Sequence, residues 1–182
     1  MTNVILELFS ERGRDRDLAD RASNGLRILV AHLAPHIGLD VRVLNATHIR
    51  RHRFPWGGVE RDVPCHAPTW PGRQTLLMTD EAIGAQGWGW PGCGVVSIPA
   101  LNAKRSAGGD IADIVIHEWI HTLQGTIING KPVPFADDAE CLGYTSVAGA
   151  DGEPTWHAWF RFALGGEGQA SSMARVTERS GT

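Results

Sequence analysis

The sequence predicts a mixed α/β (α+β) domain, and three stretches carry that prediction. Residues 3–9 (Asn-Val-Ile-Leu-Glu-Leu-Phe) are strand-like, and residues 40–44 (Asp-Val-Arg-Val-Leu) alternate polar and apolar as a half-buried strand does. Between them, Leu18, Ala22, Leu26, Leu29, Val30 and Leu33 recur at steps of three and four, which predicts an amphipathic helix over 14–33 that stops before Pro35 and Gly38. The opening order is therefore βαβ.

Residues 46–73 are rich in Pro, Gly, His and Arg without a sustained period and read as a long loop. Within it His48-Ile49-Arg50-Arg51-His52-Arg53 is basic, a solvated loop cluster on one reading and a phosphate contact on the other. Trp56, Trp88 and Trp90 sit among Gly and Pro, placed either to line a cleft or to cap the core. Residues 74–79 predict a third strand, 80–83 a short helical turn, and 94–98 a fourth strand closed by Pro99. Residues 136–147 read as a helix and 155–164 as a last apolar segment. The reading is one domain over 1–164 followed by a flexible C-terminal tail over 165–182.

Composition limits the function classes. At 182 residues the chain can bury a core without staples, and a formal net charge of -3 gives no electrostatic case for nucleic acid or a membrane surface. Three Cys at 65, 93 and 141, with no Cys-x-x-Cys pair, argue against a disulfide framework and a Cys-rich zinc module. The first residues lack the basic start and cleavage site of a signal peptide, and no run reaches membrane-span length. The expectation is a soluble, cytoplasmic monomer.

The chemistry lies in residues 110–124. This stretch is apolar on nearly every face, opens with Asp110 as a candidate N-cap and stops at Gly125, so it predicts a buried helix. It contains His117-Glu118-Trp119-Ile120-His121. Imidazoles four residues apart share a helix face and can reach one Zn²⁺, while Glu118 stays near enough to take a proton from an attacking water. Burying two His and a Glu is costly unless something satisfies them; a metal ion satisfies all three together, and a hydrogen-bonded structural His pair is the other reading.

With this HExxH motif and the strands before it, the chain resembles a minimal zincin metallopeptidase. The resemblance implies a small mixed zincin-type sheet with a backing helix, an edge strand over Gly92–Ile98, the active-site helix and a second, C-terminal helix. It would place Cys93 to Ser97 beside the substrate. Gln124 and Ile127 stand where the metzincin extension requires Gly and His, which disfavours that subfamily. A gluzincin-like site would take Glu140 as third ligand; an aspzincin-like site would take Asp138 or Asp137, which precede Gly143-Tyr144. Glu140 is favoured by its distance from His121, and by the suitability of Asp137 or Asp138 as an N-cap.

The resemblance implies Zn²⁺-dependent hydrolysis of a peptide (amide) bond, with Glu118 as general base and Tyr144, or His157, donating to the developing oxyanion. Core filling is the competing role for Tyr144, and packing or exposure for His157. Two other functions remain open: hydrolysis of a small amide or biosynthetic intermediate, and a non-catalytic binding module or toxin partner with a structural zinc. A structural site would be closed by four protein ligands.

Overall fold

The computed structural model describes residues 2–11, 13–128 and 130–133. Its architecture is mixed α+β, built on a five-stranded sheet. The predicted C-terminal helix (136–147), the apolar segment 155–164 and the tail lie outside the described residues.

The βαβ opening is present. Strand β1 (Thr2–Ser10) leads through a single 3-10 turn at Gly13–Asp15 into helix α1 (Arg16–Leu33), and β2 (Ile37–Asn45) returns parallel to β1. The periodic face of α1 is the buried one: Leu18, Ala22, Leu26, Val30 and Leu33 pack on the sheet, with Ala19 and Ser23 between them. Strands β5 (Gln74–Thr79), β6 (Gly87–Trp90) and β7 (Cys93–Ser97) complete the order β2-β1-β5-β7-β6. All neighbours are parallel except β6, which runs antiparallel to β7.

A parallel sheet needs cover on both faces, and β5, buried at every position, shows that it has it. On one face Leu6, Leu8, Leu76, Met78 and Val96 pack against α1 and helix α3 (Ala112–Leu123). On the other, Phe9, Leu77 and Val95 meet Val63 and Ile83. The second cover is a β-hairpin of β3 (Ile49–Trp56) and β4 (Val59–His66).

That hairpin replaces the predicted loop over 46–73. Two features hide it in the sequence: β3 is largely exposed on both sides, so no apolar alternation develops, and Pro55 and Pro64 stand inside the paired strands. Its turn is Gly57-Gly58, with φ of 60° and 74°, the left-handed pair that a two-residue hairpin turn requires. The basic cluster is largely spent on intramolecular ion pairs. Arg51 bridges Asp62 (2.9 Å) and Glu81 (2.7 Å), and Arg53 reaches Asp62 at 3.4 Å.

Other local expectations are corrected. Residues 80–83 form no helical turn; the Thr79 hydroxyl instead accepts the Glu81 amide at 3.1 Å. The fourth strand ends at Ser97, because Ser97 caps a helix, α2 (Ile98–Ser106), its hydroxyl accepting from the Ala100 amide at 3.3 Å. Pro99 thus opens a helix, where its missing N–H costs nothing, and does not close a strand. The stretch Gly92–Ile98 is not an edge strand: β7 is flanked by β5 and β6, and among the described residues the edge on this side is β6. Among the described residues no helix is long and apolar enough to cross a membrane.

Candidate metal centre

Helix α3 carries the His-Glu-x-x-His motif as predicted, and its sequence accounts for its position. Ala112, Ile114, Val115, Ile116, Trp119, Ile120 and Leu123 are all buried, so the helix is held between α1 and the sheet. The N-cap position falls on Ile111 and not on Asp110, which stands one residue earlier and accepts the Ala112 amide at 2.9 Å; Gly125, at φ 76°, takes the left-handed conformation just beyond the helix. The C-terminal end is also tied to the sheet, because the Gly92 amide donates to the Thr122 carbonyl at 2.9 Å.

The two imidazoles converge. His117 Nε2 and His121 Nε2 are 3.3 Å apart, with the rings edge to face at 5.0 Å between centroids. Two nitrogens bound at 2.0–2.1 Å to one tetrahedral ion stand about 3.3–3.4 Å apart, so this spacing fits Zn²⁺. Protonation also favours a ligand role. Burial lowers the pKa of both rings, that of His121 to about 4 with the neighbouring His117 adding to the effect, so the lone pairs are available at neutral pH. Gln124 lies with Nε2 3.3 Å from His121 Nδ1. Turning its amide by half a rotation presents Oε1 to an Nδ1–H, the tautomer that frees Nε2 for a metal.

Glu118 is buried beside them, and burial pushes its carboxyl up to about 8. A nearby dication would reverse that shift. The edge strand fixes both Glu118 and His121 through glycines. A Cβ on Gly87 would lie 2.5 Å from Glu118 Cγ, and one on Gly89 would lie 2.4 Å from His121 Cβ and 2.7 Å from the Glu118 carbonyl oxygen. Only a strand with no side chains on this face can lie so close to the helix.

Strand alternation sends Trp88 and Trp90 to the opposite face, away from the histidines. There Trp88 donates to the Ile83 carbonyl at 2.8 Å and Trp90 stacks on His52 at 4.0 Å, so both cap the second core cluster. Trp56 meets Trp88 edge to face at 5.7 Å and stays half exposed.

The structure thus brings together His117, Glu118 and His121 from the predicted site. Glu140, Asp138, Asp137, Tyr144 and His157 lie outside the described residues. Among the described residues no group of three or more His, Cys, Asp or Glu side chains is arranged to hold a metal ion. Sequence reasoning missed Gly87, Gly89 and Gln124. The signal available was the Gly-x-Gly alternation in Gln86-Gly87-Trp88-Gly89-Trp90, which marks a strand with one bare face. Comparison with protein-family models gives no match, and no curated protein matches the sequence.

Proposed function

We propose that the chain is a zinc-dependent hydrolase that cleaves a peptide (amide) bond, with Glu118 as general base. The observation that carries the reading is the 3.3 Å approach of His117 Nε2 to His121 Nε2, with the Glu118 carboxyl in the next position of the same buried helix. His117 and His121 would hold the ion, with Glu140 as third ligand and Asp138 or Asp137 as the alternatives. When bound, Zn²⁺ supplies Lewis acidity that polarises the scissile carbonyl. Glu118 takes the proton of the attacking water and returns it to the leaving nitrogen. Gln124 keeps the His121 ring turned. Tyr144 or His157 donates to the developing oxyanion.

The position of the edge strand supports a peptide substrate. Among the described residues nothing pairs with the outer side of β6, so an extended segment can add there through main-chain hydrogen bonds. That edge is only four residues long, which also favours a second reading, a short or small amide substrate.

The test is zinc quantification joined to cleavage screens with a peptide library and small amides, on the wild type and Glu118→Gln. The expected result is stoichiometric zinc in both, with activity in the variant lower than in the wild type by roughly 10²- to 10⁴-fold. Zinc without cleavage of either substrate class would leave a structural-zinc binding module, and a zinc-free wild type would overturn the reading.

A further inference from the structure

We propose that Cys65 and Cys93 form a redox-active dithiol that a hydroperoxide converts to a disulfide, tying the β3–β4 hairpin to the central sheet. This is independent of the metal chemistry.

The placement follows from strand alternation. Val63 on β4 and Val95 on β7 pack in one cluster between hairpin and sheet. Cys65 and Cys93 lie two positions from them on the same strands, so both face that layer. A second link fixes the register: Thr75, the Cα partner of Cys93, donates its hydroxyl to the carbonyl of His66, the residue after Cys65. His66 in turn anchors the hairpin base, stacked on Phe9 at 3.6 Å with Nδ1 2.7 Å from the Ala67 carbonyl oxygen. The two side chains are neighbours that feel each other electrostatically, and neither is oxidised.

The pair is also asymmetric. Cys93 is half-buried and Cys65 is buried. The contact with Cys65 lowers the Cys93 pKa against the opposing effect of burial, with the Thr75 and Trp90 side chains and the Arg50 charge acting in the same sense as Cys65. The same contact, together with burial, raises that of Cys65. A nucleophilic thiolate thus stands beside a resolving thiol.

The chemistry balances with a hydroperoxide as oxidant. The Cys93 thiolate attacks one peroxide oxygen; the S–O bond forms, the O–O bond breaks, and the leaving oxygen takes up the proton that Cys93 had released. The Cys65 sulfur then attacks the Cys93 sulfenic sulfur. The S–S bond forms, the S–O bond breaks, and hydroxide departs as water with the Cys65 proton. The two sulfurs give up two electrons and the peroxide accepts them.

The experiment treats the folded wild type with one equivalent of hydrogen peroxide, blocks residual thiols with iodoacetamide and maps tryptic peptides without reduction. Cleavage after Arg61, Arg73 and Lys104 puts the two cysteines on separate peptides, 62–73 and 74–104. The expected product is a linked 62–73/74–104 pair, reversed by dithiothreitol, with Cys141 still alkylated. The oxidised protein should melt several degrees higher than the reduced protein, since the cross-link constrains the unfolded chain. Cys65→Ser should leave Cys93 as sulfenic acid at the same dose, trapped by dimedone, and carry it to sulfinic acid only with a second equivalent. The proposal is overturned if, in the wild type, Cys93 accumulates as sulfinic acid while Cys65 stays alkylatable, if a linkage involves Cys141, or if both thiols survive a tenfold excess of peroxide.

Discussion

Gly89 and His121 meet with no room for a methyl group between them: a Cβ on the glycine would lie 2.4 Å from the histidine Cβ, closer than such atoms approach. The edge strand and the proposed metal ligand are therefore one mechanical unit. Gly89→Ala should push His121 away from His117 and lower zinc affinity by about 10- to 100-fold, the range seen when a ligand's supporting contacts are lost. Gly13→Ala, where a Cβ meets nothing within 4 Å, is the control and should bind zinc as the wild type does. Competition titration with a chromophoric chelator measures both, and equal affinities would show that the strand does not set the ligand geometry.

A similar contact positions the whole of α3. Gly25 sits in the middle of α1, where glycine costs roughly 1 kcal/mol relative to alanine in an isolated helix. A Cβ there would lie 2.8 Å from Ala112 Cβ at the start of α3. Overpacking at such a point costs about 1–3 kcal/mol, more than the propensity gain. Gly25→Ala should therefore destabilise the protein by about 1 kcal/mol, seen as a lower urea midpoint at unchanged m-value; a raised midpoint would mean that the helices can part without loss.

The identity of the proposed third zinc ligand is a ranking experiment. Glu140→Ala should reduce zinc affinity beyond the roughly 100-fold limit of supporting changes, while Asp137→Ala and Asp138→Ala should each stay within about tenfold. A zinc-free Asp138 or Asp137 variant alongside a zinc-replete Glu140 variant would reverse the assignment in favour of the aspzincin-like alternative.

How much the sequence discloses depends on what each element touches. Helices α1 and α3 are legible because their buried faces recur at helical steps with mostly apolar residues, and because His117, Glu118 and His121 have a spacing with a mechanical meaning. Strand β6 is not, because its helix-facing positions are Gly87 and Gly89 and carry no apolar signal. The hairpin escapes for a different reason: β3 leaves both of its faces largely in solvent, so only the Gly57-Gly58 turn betrays it. Pro99 is ambiguous in sequence, since proline both ends strands and begins helices, and only the Ser97 cap decides which. The candidate site divides in the same way. His117, Glu118 and His121 come from one helix and are local in sequence, whereas the contacts that place them come from a strand some thirty residues away.

Glu7 provides a prediction about acid stability. Its carboxylate, fully buried on strand β1, accepts the Thr69 amide at 2.7 Å, the Thr69 hydroxyl, and Arg73 at 2.6 Å. Burial alone would raise the Glu7 pKa; the Thr69 side-chain and backbone hydrogen bonds and the Arg73 guanidinium outweigh it and hold the carboxyl below its ordinary value. A group with a depressed folded pKa binds protons more weakly in the native state than in the unfolded chain. Its contribution is therefore complete above the ordinary glutamate value near 4.5 and is lost as the pH falls from there through the lower folded value. Glu7→Gln removes this titration and leaves Arg73 without its buried counter-charge, a change on the order of 3 kcal/mol at neutral pH. Urea unfolding at pH 7, 5, 4 and 3 should show the wild type losing stability steeply below pH 4.5, and Glu7→Gln starting lower but falling less over that interval. Parallel acid limbs in the two proteins would assign the acid sensitivity to other carboxylates.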